Sequence, residues 1–220
     1  MPSSVQVSGQ IYVPVKSGEK YGYHDTAGSQ IMGPSFTAAN IFREGLGAVS
    51  VHPENGRKWF YINSNRSIVI KTGFIEAMPF YGGKARIYNG HEWMYIDTAG
   101  NKAIESVFEE AEDFMGDYAK VKKVGKGWGI IDSAGNFVVE PVLAACTDAN
   151  YSVYGAYNPS KKHWAYLTFS GDTAIKTVFE EAGSFNDSLA PVKLNNIWGY
   201  INLKGKQEIP YQFDEAGPFY

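Results

Sequence analysis

The chain has 220 residues, a net charge of −3, 44 % hydrophobic and 20 % charged residues. This is the balance of a globular protein long enough to bury roughly 70 % of its unfolded surface. The longest apolar runs, such as Val142–Cys146, are far too short to span a membrane, and the N-terminal stretch has neither the basic nor the apolar region of a secretory leader. The single cysteine, Cys146, excludes an internal disulfide and points to a reducing, cytoplasmic setting.

In chain order, the first predicted element is a strand over residues 11–16, "IYVPVK". It leads into "YGYHDTAG" (21–28), an alternating strand closed by a tight turn. The same pattern returns with tryptophan in the place of Tyr21, at 59, 93, 128, 164 and 198. The gaps lie between 34 and 38 residues, so the chain carries six repeats of about 35 residues. Asp opens the turn in Asp25-Thr-Ala-Gly28, Asp97-Thr-Ala-Gly100 and Asp132-Ser-Ala-Gly135. The acidic side chain can cap its own backbone, and the fourth-position glycine tolerates positive φ. Arg66 replaces that glycine in the second repeat and predicts a strained or shifted turn. A second strand follows and runs into an acidic corner: "VFEEAEDF" (107–114), "VFEEAGSF" (178–185), "QFDEAGPF" (212–219). A third strand, such as "YAKVKK" (118–123) or "LAPVKL" (189–194), returns to the next tryptophan. No stretch has a 3.6-residue apolar period, so helix is not expected.

These residues resemble the bacterial WG (KWG) repeat family. The match is the Trp-Gly-Tyr-Ile-Asp-x-x-Gly core, the strand ending in Phe-Asp/Glu-Glu-Ala, a following Phe, and the Leu-Ala-x-Val-Lys strand, over residues 11–220. Only Trp128 and Trp198 keep the glycine; Phe60, Met94 and Ala165 replace it elsewhere. The resemblance implies a β-repeat fold and a binding role, and brings no catalytic residues. The sequence therefore predicts one all-β domain over 1–220. Residues 11–16 complete the sixth repeat and close a propeller-like ring; the alternative is an open, curved array of β-hairpins. A 35-residue period is short for a four-stranded blade, so three-stranded or very compact blades are expected.

No constellation reads as catalytic, and neither cofactor nor metal is expected. The acidic pairs Glu109-Glu110, Glu180-Glu181 and Asp214-Glu215 recur at one repeat position, which suits an exposed, backbone-capping corner better than acid–base chemistry. His24, His52, His91 and His163 share no ligand spacing. Cys146 has small apolar neighbours and no adjacent base. "GKGWG" (125–129) precedes no helix and is no phosphate loop. The tryptophans are expected to form the core between blades, with carbohydrate-stacking platforms as the alternative.

Two features break the repeat symmetry. Residues 57–90 carry a net +5 and residues 91–125 a net −4, a polarisation that can steer a charged partner. Residues 144–163 lose the acidic corner and gain Tyr151, Tyr154 and Tyr157, a residue type favoured as a binding anchor. The expected function is a non-catalytic protein-binding module of a bacterial cytoplasm, such as an immunity protein that neutralises a toxin or effector. The contact candidates are Arg43, Lys58, Arg66, Lys84, Arg86, Tyr151, Tyr154 and Tyr157. A lectin-like carbohydrate or small-ligand binder is the alternative. Neither membrane nor nucleic acid is an expected partner, since one basic repeat beside an acidic one makes a poor phosphate track. A monomer or a domain-swapped dimer is expected.

Overall fold

A computed structural model describes residues 11–51, 58–149 and 151–218. Twenty strands and no helix occur among these residues, so no helix is long and apolar enough to cross a membrane. The chain divides into two compact units, Met1–Val107 and Phe108–Tyr220.

The first unit holds three antiparallel meanders. The first joins β1 (Val13–Ser17), β2 (Lys20–His24) and β3 (Gln30–Phe36). The second joins β4 (Ala38–Ala39), β5 (Gly47–Ser50), β6 (Trp59–Ile62) and β7 (Ile68–Phe74). The third joins β8 (Glu76–Ala77), β9 (Lys84–Tyr88) and β10 (Trp93–Asp97). The second unit repeats the plan with β11 (Glu110–Ala111), β12 (Tyr118–Lys122), β13 (Trp128–Asp132) and β14 (Phe137–Leu143). A two-stranded sheet of β15 (Val153–Asn158) and β16 (His163–Thr168) follows. The last sheet joins β17 (Glu181–Ala182), β18 (Leu189–Leu194), β19 (Ile197–Asn202) and β20 (Gln207–Phe213). No sheet closes on itself among the described residues.

Each full sheet straddles two sequence repeats. Its two-residue corner strand and the strand after it precede a tryptophan; its other two strands follow from that tryptophan. The corner strand is how a 35-residue period reaches four strands. The segments after the turns of β10 and β16 depart from the expected second strand. Residues 102–107 and 172–178 touch the neighbouring strand only through single bridges, Ile96 to Lys102 and Leu167 to Thr173. They turn Ile104 and Ile175 into the core instead, at 2 % and 3 % exposure.

The turns follow the sequence chemistry. Asp97 Oδ1 accepts the Ala99 and Asn101 amides at 2.9 and 2.8 Å, and Gly100 takes φ +86°. Asp132 does the same. These amide bonds favour the charged carboxylate and hold both aspartates below their ordinary pKa, led in each case by the amide of the Asn four residues on. Arg66 adopts φ +64°, a left-handed conformation that costs a side-chain-bearing residue on the order of 1 kcal/mol, as the missing glycine predicts.

The glycine after the tryptophan has a separate cause. Trp128 pairs with Leu143 but Ile130 pairs with Val139, so the outer strand bulges by two residues between them. The bulge presses its backbone onto Gly129: an added Cβ would lie 2.6 Å from Val139 O and 2.9 Å from Pro141 Cα. Gly199 meets the same bulge in β20. In the second sheet Phe60 takes the position, and the small residue moves across to Gly73, whose added Cβ would lie 3.2 Å from the Phe60 ring.

The tryptophans lie at the edge of the core, where Trp59 and Trp128 pack against buried clusters, rather than at its centre. All five are half-buried, and the buried aromatic is the tyrosine two residues on. Tyr23, Tyr61, Tyr95 and Tyr166 are at most 1 % exposed. Strand alternation puts residues two apart on one face, but the tyrosine lies deeper along it. Each of three is flanked by two phenylalanines: Tyr23 by Phe36 and Phe42, Tyr61 by Phe74 and Phe80, Tyr166 by Phe179 and Phe185, with ring centroids 5.0–6.3 Å apart. Each of these hydroxyls then donates to a backbone carbonyl just past the next corner strand. Tyr23 reaches Asn40 O at 2.8 Å, Tyr61 reaches Met78 O at 2.6 Å and Tyr166 reaches Gly183 O at 2.6 Å.

Two substitutions probe this packing by chemical denaturation. Tyr166→Phe should cost about 1 kcal/mol or somewhat more, the value of a buried hydrogen bond whose carbonyl partner is left behind. Gly129→Ala should cost about 1–3 kcal/mol, because backbone rather than a flexible side chain has to give way.

Candidate functional site

The basic candidates fall into two kinds. Lys58 and Arg66 are exposed and flank β6 at opposite ends. Arg43, Lys84 and Arg86 are half-buried. The Arg43 guanidinium lies 4.6 Å from the Tyr81 ring centroid, and its Nε is shielded without a hydrogen-bond partner. The neighbouring Glu44 accepts the Gly82 and Gly83 amides at 2.7 and 2.9 Å, so the turn carrying Arg43 docks the second sheet onto the third. Arg86 shares a face of β9 with Lys84 and lies 5.1 Å over the Trp93 ring. Arg57 lies outside the described residues, as does His52.

That cation-on-tryptophan arrangement recurs. Lys120 lies 5.1 Å from Trp128 and Lys193 lies 5.9 Å from Trp198. Trp93, Trp128 and Trp198 are thus half-exposed aromatics with a cation over the ring. Sequence reasoning singled out the tryptophans but assigned them to the core. The signal for the pairing was present: a basic residue recurs in the strand before each of these tryptophans.

The three tyrosines of the divergent segment separate. Tyr151 is 54 % exposed in a turn. Tyr157 is half-buried with its ring 5.4 Å from Trp164. Tyr154 is 3 % exposed and belongs to the core, which corrects its reading as a contact residue. The reason lies earlier in the same repeat, where Ile130, Leu143 and Ala149 stand in place of the buried tyrosine and two phenylalanines built around Tyr23, Tyr61, Tyr95 and Tyr166. Tyr154 packs into the same cluster and fills the volume they leave.

The acidic corners are structural. Lys122 Nζ bonds both Glu109 and Glu110 at 2.8 Å, Lys193 bonds Glu181 at 2.8 Å, and Glu180 caps the Asn196 amide at 2.9 Å. These carboxylates raise the Lys122 pKa to about 12, its hydrogen bond to Glu109 being the largest cause. Among the described residues no three His, Cys, Asp or Glu converge on a metal position. His24 ends β2, its Nδ1 3.0 Å from Gly28 O.

Among the described residues of the second unit, two cavities are notable. One, of about 670 Å³, is lined by Met115, Asp148, Ser184, Asp187, Trp198 and their neighbours; Ser184 Oγ donates to Asp148 Oδ2 at 3.1 Å within it. The other, of about 620 Å³, lies along β15 and β16 and includes Tyr157, Lys161, His163 and Lys176.

Comparison with known proteins places this geometry. Residues 59–90, 93–126, 128–153, 170–196 and 198–220 match the WG containing repeat family. The chain belongs to that family. No curated protein matches the sequence. Among solved structures the WG-repeat chain is similar to Hsv2 of Kluyveromyces lactis, with a TM-score of 0.55 and 9 % identity over 89 % of this chain and 70 % of that one. It is also similar to BamB of Moraxella catarrhalis, with a TM-score of 0.51 and 10 % identity over 90 % of this chain and 69 % of that one. Both are β-propellers, so the fold is an all-β, propeller-like array of WG repeats.

Burial pushes the Cys146 thiol up to about 12, with smaller and opposing effects of Lys120 and Asp148. The native protein should therefore resist iodoacetamide at pH 8, and label fully once unfolded in guanidinium; rapid native labelling would show that the thiol is neither buried nor inert.

Proposed function

We infer that this WG-repeat protein is a non-catalytic binding module whose ligand is another protein. The observation that supports this best is the recurrent surface pairing of a half-exposed tryptophan with a cation: Arg86 on Trp93, Lys120 on Trp128, Lys193 on Trp198. Tryptophan and arginine are among the side chains most enriched at interface hot spots. A cation parked over an indole is also partly desolvated before a partner arrives, which lowers the cost of burying it.

The charge pattern adds direction. The basic stretch supplies exposed Lys58 and Arg66 with half-buried Lys84 and Arg86, and these suit a partner with an acidic face. Arg43, held over Tyr81, positions its turn. Tyr151 is the exposed anchor of the second unit. The finer form of this reading is an immunity protein of a bacterial cytoplasm that covers the active site of a toxin.

A pull-down from lysate of the native host at low and high salt, read by mass spectrometry, tests the reading. A protein retained at low salt and released at high salt is expected. Charge reversal at Lys58, Arg66 and Arg86 should reduce its capture at least about tenfold. Retention of no protein by the unaltered chain, or capture unchanged by reversal, would argue against it.

A further inference from the structure

The 620 Å³ cavity of the second unit combines apolar and basic side chains. It exists because residues 172–178 do not form a regular outer strand. Only Thr173 and Phe179 bridge to β16, at Leu167 and Trp164. In the last sheet β20 instead pairs along β19.

The wall is apolar, with Leu143, Ala165, Leu167 and Ile175 contributing, and it continues outward to Val142 and Val178, which are 77 % and 45 % exposed. The ionisable side chains on this wall besides Tyr157 are Lys161, His163 and Lys176; no carboxylate lines it. The acid-rich 670 Å³ cavity of the same unit, with Asp148 and Asp187, is its opposite. His163 also keeps a ring nitrogen, Nδ1, that is shielded from solvent and has no hydrogen-bond partner.

We propose that this cavity binds a small amphipathic carboxylic acid, with its apolar body along β15–β16 and its carboxylate toward Lys161, Lys176 and His163. The volume falls within the range of small-molecule sites, which are mostly apolar with a few polar groups that fix orientation. Two exposed ammonium groups beside greasy surface favour an anion over a neutral ligand of the same shape. A sugar, which offers neither an apolar body nor a charge, fits this wall poorly. The site is independent of the protein-binding reading and stands or falls separately from it.

Isothermal titration calorimetry on the full chain tests the site with three probes: octanoate, 3-phenylpropionate and 1-octanol. At least one acid should bind saturably with one-to-one stoichiometry, and at least about tenfold more tightly than 1-octanol. Octanoate alone would identify a linear acyl chain, and phenylpropionate alone an aromatic acid. K161Q/K176Q, at exposed positions, should bring the acid down to the level of the alcohol. Ala144→Phe, on the exposed rim, should abolish binding of all three. Both variants are checked by circular dichroism for an unchanged thermal midpoint. The proposal is overturned if neither acid saturates, if octanol binds as tightly as the acid that does, or if the lysine variant binds that acid unchanged.

Discussion

The hydroxyl of a buried tyrosine, repeated from sheet to sheet, is the contact on which the rest depends. A tyrosine ring between two phenylalanines buries a large apolar area, but its polar tip needs an acceptor once water is excluded. The carbonyl just past the next corner strand provides it. That bond fixes the distance between one sheet and the corner of the following one, and the corner strand then pairs with the next meander. Asn40 extends the chain of contacts, taking the Tyr23 hydroxyl on its carbonyl and donating its own amide to Ala77 O at 2.7 Å. Burial also raises the pKa of Tyr23 and Tyr166 far above that of a free phenol, so the donor proton stays in place at any ordinary pH.

Where the tyrosine is missing, the local order changes. Ile130 has no hydroxyl to offer, and the segment after it loses the Glu-Ala corner. Thr147 substitutes in part, since its Oγ1 accepts the Gly155 amide at 2.8 Å and donates to Asp148 O at 3.0 Å. Tyr154 supplies the missing bulk from the opposite strand. The most irregular sheet, β15–β16, begins in this region, and so does the cavity beside it.

The period, the strand types and the turn chemistry were all legible in the sequence, because they depend on neighbours within a few residues. Asp97 with Gly100, and Arg66 where the glycine is missing, are examples. The identity of the core aromatic was not legible. Tryptophan is the more visible marker, but it shares a strand face with the tyrosine, and depth along that face is set by the next sheet rather than by the repeat itself. The acidic corner's structural role is legible in its recurrence at one repeat position, whereas residues 102–107 and 172–178 have the composition of a strand and form none. Their composition allows a loop as well, and the burial of Ile104 and Ile175 decides. The cavity could not be foreseen, since it is made by the absence of a strand. Tyr151, Tyr154 and Tyr157 looked alike in sequence and have three different fates, because the space around Ile130 draws in only one of them.

The offset between sequence repeat and sheet has a consequence for how the array holds together. In many repeat proteins neighbours touch only through side chains, and the coupling between them is a packing energy. Here every complete sheet is woven from two successive repeats, so backbone ladders cross the repeat boundary. A single excised repeat would contain two halves of different sheets and no whole one. The smallest autonomous piece must therefore span at least two periods, and disorder in one repeat unravels an edge of the next. Coupling across each repeat boundary is carried by the main chain itself, while coupling from sheet to sheet is left to the buried tyrosine hydroxyls.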